Sequence, residues 1–125
     1  MNFNIIRARI KRNKFDFCAG EFYKDNDSDF ITELKQKGFP ALVGIKRNDG
    51  IYTVLGNDFI YYRSSSGIEG QIQHGDFLKN LRDITLKNGK SANYEFIEIK
   101  EDCSIWVLNI YTMNAMWNTL LLLNK

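Results

Sequence analysis

Between Pro40 and Ser64 the chain reads "ALVGIKRNDGIYTVLGNDFIYYR", three short β-branched and aromatic runs separated only by "NDG" and "GND". Runs this short have strand length rather than helix length. Asn, Asp and Gly tolerate the positive φ of tight hairpin turns. The spacing therefore predicts three consecutive antiparallel strands, over Ala41 to Arg47, Ile51 to Gly56 and Asp58 to Arg63.

Downstream, a polar loop from Ser64 to Gly67 leads into a fourth strand around Ile68 to His74. "GDFLKNLRD" reads as a helical turn passing into a fifth strand across Arg82 to Lys87, with "KNGK" as the next hairpin turn. Asn93 to Lys100 and Ser104 to Tyr111 are read as the sixth and seventh strands, joined at Glu101 to Cys103. Met113, Met116, Trp117, Leu120 and Leu121 then recur at i, i+3, i+4, i+7 and i+8, one stripe of a closing helix with Thr112 as its cap. Upstream, Phe3 to Arg12 alternates as a strand would, with Arg7, Arg9 and Lys11 on one face and Ile6, Ala8 and Ile10 on the other. Cys18 to Asp29 is polar and reads as a loop. Asp27, Ser28 or Asp29 then caps a helix carrying Phe30, Ile31 and Leu34, which Gly38 and Pro40 stop.

At 125 residues the chain is one domain, with residues 1–40 an extension packed on 41–125. Its 17 basic and 15 acidic residues leave a net charge of +2, too little for a general pull on nucleic acid or anionic membrane. Cys18 and Cys103 leave a single disulfide open, but reduced thiols are the expected state in a cytosolic protein. "MNFNIIRARIKRNK" lacks the apolar run of a secretory signal, so a cytoplasmic location is expected. No charged residue stands between Ser104 and Asn124, a length that can span a bilayer. Asn109, Thr112, Asn114, Asn118 and Thr119 interrupt that stretch, and a buried strand followed by a packed helix is the expectation.

About seven antiparallel strands closed by a C-terminal amphipathic helix resembles the pleckstrin-homology superfold, over Ala41 to Lys125. "GIYTVLGNDFIYYRSSSGIEGQIQHGDF" is similar to bacterial members of that group, which pair an apolar strand, a polar turn and an aromatic strand. The resemblance implies an α+β domain: a small antiparallel β-barrel of two orthogonal sheets, with an N-terminal strand and helix added. It also implies binding rather than catalysis, although fold alone does not carry function. The lipid-binding version places basic residues on both of its first two strands. Here "GIKRNDGIYTVL" offers Lys46 and Arg47 and none after the turn, which argues against phosphoinositides.

Ser64, Ser65 and Ser66 with His74 and Asp76 are the only grouping that suggests a nucleophile and a base. The Gly-x-Ser-x-Gly elbow is absent, and small polar residues before Gly67 suit a turn. Asp25, Asp27 and Asp29 match the start of a calcium loop, but Phe30 and Gln36 stand where Gly and Glu are required. Neither a metal site nor a cofactor site is expected. Trp106, Trp117, Tyr111 and the methionines fit a core as well as a pocket. The best charged-partner patch is Arg7, Arg9, Lys11, Arg12 and Lys14, with Phe15 and Phe17 close enough to stack on bases.

The sequence thus points to a non-catalytic interaction module with a protein partner, its oligomeric state open. Two alternatives stand beside it. One is a small immunity or inhibitor protein that neutralises a toxin or enzyme. The other is a weak nucleic-acid binder acting through the N-terminal basic strand, with a membrane surface the remaining partner class.

Overall fold

The computed structural model describes residues 3–89 and 93–123. The three runs that follow Pro40 form β2 (Ala41–Lys46), β3 (Tyr52–Gly56) and β4 (Phe59–Arg63), joined at the predicted turns. With β1 (Tyr23–Lys24) and β5 (Glu69–Gln73) they make a five-stranded antiparallel meander in the order β1-β2-β3-β4-β5. A separate two-stranded ladder pairs β6 (Phe96–Lys100) with β7 (Cys103–Trp106). The class is α+β, as expected, with a C-terminal helix. The described strands close no barrel, because the two ladders do not pair with each other.

Strand alternation sorts the five-stranded sheet into two faces. Val43, Ile45, Leu55, Ile60 and Tyr62 point into the larger core, here called the inner face. They meet β6 and β7, helices α1 (Phe3–Asn13) and α2 (Phe15–Ala19), α4 (His74–Asn88) and α5 (Ile110–Leu123). Ala41, Tyr52, Val54 and Tyr61 point to the outer face, where Ile31, Leu34 and Phe30 of α3 (Asp29–Gln36) cover them, with Phe39 and Phe59 against Tyr61. Each large apolar side chain buried this way contributes about 1.5–3 kcal/mol. The inner core therefore carries most of the stability, and the outer cluster fixes one helix.

Several expected elements are corrected. The N-terminal run is helix α1, not a strand. Phe3, Ile6 and Ile10 fall on one helical face, Ile6 and Ile10 are buried, and Ala8 is exposed with the basic residues. Straight-chain Arg and Lys with Ala favour helix, and two periods fit so short a run. The expected loop after Cys18 holds a 3₁₀ turn (Gly20–Phe22) and edge strand β1. The expected fifth strand at Arg82 to Lys87 is the second half of α4, whose Phe77, Leu78 and Leu81 are buried and Ile84 half-buried. "KNGK" is accordingly a helix end. Gly89, at φ 80°, donates its N–H to the Thr85 carbonyl, while Lys90 lies outside the described residues.

Ser28 is the cap of α3, its hydroxyl accepting from the Ile31 N–H at 3.4 Å. At the other terminal helix the cap is Asn109 rather than Thr112. Its side-chain oxygen accepts from the Thr112 N–H at 2.8 Å, so the helix starts before the expected seventh strand would have ended. Thr112, Met113, Ala115, Met116, Thr119 and Leu120 form the buried stripe, and Leu121, assigned to it by spacing, is 52% exposed. Among the described residues no helix is long and apolar enough to cross a membrane.

Candidate binding surface

The two ends of the meander differ. Edge strand β1 is two residues long, whereas β5 presents five residues with no described strand on its far side. The β4–β5 register runs from Phe59↔Gln73 to Arg63↔Glu69. The Ser64 N–H reaches the Ile68 carbonyl at 2.9 Å and the His74 N–H reaches the Asp58 carbonyl at 3.4 Å. These two contacts set the phase of the ladder. Ile68, Gly70, Ile72 and His74 bond inward to β4, so Glu69, Gln71 and Gln73 turn their N–H groups away from the sheet. All three of these residues are exposed. Gly70 is held close beneath Tyr62, where an added Cβ would stand 2.6 Å from the phenol oxygen.

Beside this edge, on the outer face, lies a cleft of about 310 Å³. Leu34, Lys37 and Phe39 form its wall on the α3 side, Glu69, Gly70 and Gln71 its wall on the β5 side, and Tyr52 and Tyr61 also line it. The cleft exists because α3 is only eight residues long and packs chiefly on β2, so no helix lies over the outer face of β5 among the described residues. The Tyr52 hydroxyl donates to Glu69 Oε2 at 2.7 Å, fixing one carboxylate oxygen on the wall. Burial pushes the Tyr52 phenol well above its ordinary value, and the Glu69 hydrogen bond adds to that, so it stays a donor. Phe39 packs against Tyr61 with ring centroids 5.2 Å apart. The result is a mainly apolar recess with a few placed polar groups, next to unpaired main-chain donors.

The serine–histidine grouping is taken apart by the same register. The serine loop follows Arg63 at one end of the β4–β5 ladder and His74 follows Gln73 at the other. At about 3.4 Å per residue, a five-residue strand separates them by roughly 15 Å. Ser64 is fully buried; its hydroxyl accepts from the Ile68 N–H at 3.1 Å and lies 2.9 Å from the Ser66 hydroxyl. Ser66 donates to the Asp102 carbonyl at 2.9 Å, and the Ser65 N–H donates to the Ser104 carbonyl at 3.1 Å. The triplet therefore rivets the five-stranded sheet to the β6–β7 turn. His74 Nε2 donates to the Gly56 carbonyl at 2.9 Å, and burial lowers its proton affinity below the ordinary imidazole value, so the ring is neutral.

The other candidate groups are dispersed or structural. Asp25 accepts from the Asn26 N–H and offers its carbonyl to Ser28, actions that shape the start of α3. Among the described residues no three His, Cys, Asp or Glu side chains gather to hold a metal ion. Cys18 and Cys103 are both free thiols, and Cys103 is buried with its sulfur 3.7 Å from the Tyr62 hydroxyl. Trp106 is core: Phe22 meets it edge-on at 5.3 Å and Arg47 lies over it at 5.6 Å. Trp117 is half-buried and Tyr111 exposed.

The basic residues stand on a helix and the turn after it, not on a strand. On helix α1, Arg7, Lys11 and Arg12 are exposed and Arg9 is half-buried, with Lys14 exposed at the junction to α2. Phe17 is exposed, whereas Phe15 is fully buried and unavailable for stacking. Sequence reasoning did not single out Glu69, Gln71 or the cleft. The one available signal was "EGQIQ", a polar–apolar alternation with no Lys or Pro to guard an edge. No protein family, curated protein or solved structure matches this chain.

Proposed function

We propose that the protein is a non-catalytic interaction module that takes up an extended segment of a partner protein along β5. The observation that carries this reading is the juxtaposition of outward N–H groups on Glu69, Gln71 and Gln73 with the aromatic cleft beside them. A strand added at this edge gains main-chain hydrogen bonds, while its alternate side chains reach the cleft. Leu34, Phe39, Tyr52 and Tyr61 favour an apolar or aromatic side chain there. The pleckstrin-homology-like resemblance supports the same kind of role, and kinship with that group belongs to this proposal rather than to the fold described above.

The test is selection from a displayed library of random linear peptides, followed by amide mapping of the selected complexes. Selected peptides are expected to perturb Glu69 and Gln71 and to lose binding in Gln71→Pro. That substitution removes an outward donor without breaking the β4–β5 ladder. Failure of any peptide to be enriched, or binding that Gln71→Pro leaves intact, overturns the proposal. So does a homodimer closed through β5, since the edge would then be occupied by a second copy.

A further inference from the structure

We infer that the exposed arc of α1, with the turn into α2, is a docking surface for an anionic lipid bilayer. At 100° per residue, Arg7, Lys11, Arg12 and Arg9 sweep the arc opposite Ile6 and Ile10, which stay in the core. The helix contains no acidic residue. Arg7 lies over the Phe3 ring at 5.0 Å, and none of the five cations makes an ion pair among the described residues.

Apolar side chains stand among these cations. One shallow recess is lined by Ile5, Ala8, Arg9, Arg12 and Leu122, and a second by Lys11, Lys14, Asp16 and Phe17. Lys11 lines one recess and Arg12 the other, at successive positions of the helix. Phe17 is 81% exposed and Ile5 54% exposed, which places apolar tips in solvent beside the cations. Helix α5, which packs against α1, has no charged residue. Its neutrality removes repulsion between that flank and lipid phosphates.

Cations with interspersed aliphatic and aromatic tips match a headgroup layer over an acyl boundary. A nucleic acid would use the cations and Phe17, but it has no use for Ile5 or Leu122. The inference is independent of the β5 edge, which belongs to another element.

Cosedimentation with vesicles tests it. Binding is expected to vesicles of equal parts phosphatidylcholine and phosphatidylserine, to fall as salt rises, and to vanish on pure phosphatidylcholine. Each cation near such a surface strengthens partitioning about fivefold, so Lys11→Ala with Arg12→Ala weakens it about 25-fold. Phe17→Ser weakens it further, whereas Gln71→Pro leaves it unchanged. All four altered positions are exposed in the free protein, and unchanged circular dichroism confirms that each variant folds. No binding to either vesicle, equal binding to both, or binding only to a DNA oligonucleotide with the same sensitivity to Lys11 and Arg12 overturns the inference.

Discussion

The two faces of the five-stranded sheet carry similar strand chemistry and are used differently. The inner face meets a hairpin and four helices, and Ile45, Leu55 and Ile60 are fully buried there. The outer face meets one short helix, so Tyr52 and Tyr61 are covered along part of their length and line a cleft along the rest. Complete coverage yields stability. Partial coverage next to a free edge leaves apolar surface and backbone donors together, and a binding function needs both.

That contrast predicts an ordered set of effects. The largest belongs to Phe15, fully buried in the larger core, with Tyr23 edge-on at 5.5 Å. Phe15→Ala is expected to cost about 3–5 kcal/mol in urea denaturation. Phe39→Ala, on the partly exposed outer wall, is expected to cost well under half of that. Equal costs would erase the distinction between the faces.

Next comes the serine rivet. Ser64→Ala leaves the Ile68 N–H without its side-chain acceptor and is expected to cost about 1–2 kcal/mol. Ser66→Ala, at an exposed hydroxyl, is expected to cost less. A larger loss from Ser66 would mean that the loop is held in some other way.

The smallest effect is a pH dependence from His74, the single histidine of the chain. Its folded-state proton affinity is lowered, chiefly by burial, so below an ordinary pKa of about 6.5 the unfolded chain binds the proton more readily. The stability is fully present above that value and declines as pH falls from it towards the folded-state value. The urea midpoint should therefore drop as the pH falls through the ordinary imidazole range. His74→Asn, which has no titrating ring, should show a lower midpoint at neutral pH and a flatter profile. A wild-type profile as flat as the variant's would contradict the buried neutral ring.

Much of the central sheet was legible because its signals are local. "NDG" and "GND" mark turns, and the runs they separate are short and rich in β-branched and aromatic residues. The cap of α3 was legible only as one of Asp27, Ser28 and Asp29, and the structure selects Ser28. The N-terminal segment was misread because Ile6, Ala8 and Ile10 satisfy a strand while Phe3, Ile6 and Ile10 satisfy a helix, and only packing decides. "RDITLK" posed the same ambiguity, and Phe77, Leu78 and Leu81 ahead of it resolved it as helix. The β5 edge was illegible for a different reason. Which strand ends a sheet depends on where later segments go, and after Gln73 the chain turns into α4 instead of adding a neighbour.

The openness of that edge is the central claim, and hydrogen exchange of the free protein measures it directly. Gly70 and Ile72 are expected to be protected by β4, while the neighbouring Glu69 and Gln71 amides exchange at nearly the rate of an unstructured chain. Protection of Glu69 and Gln71 equal to that of Gly70 and Ile72 would show the edge already covered and would contradict the account.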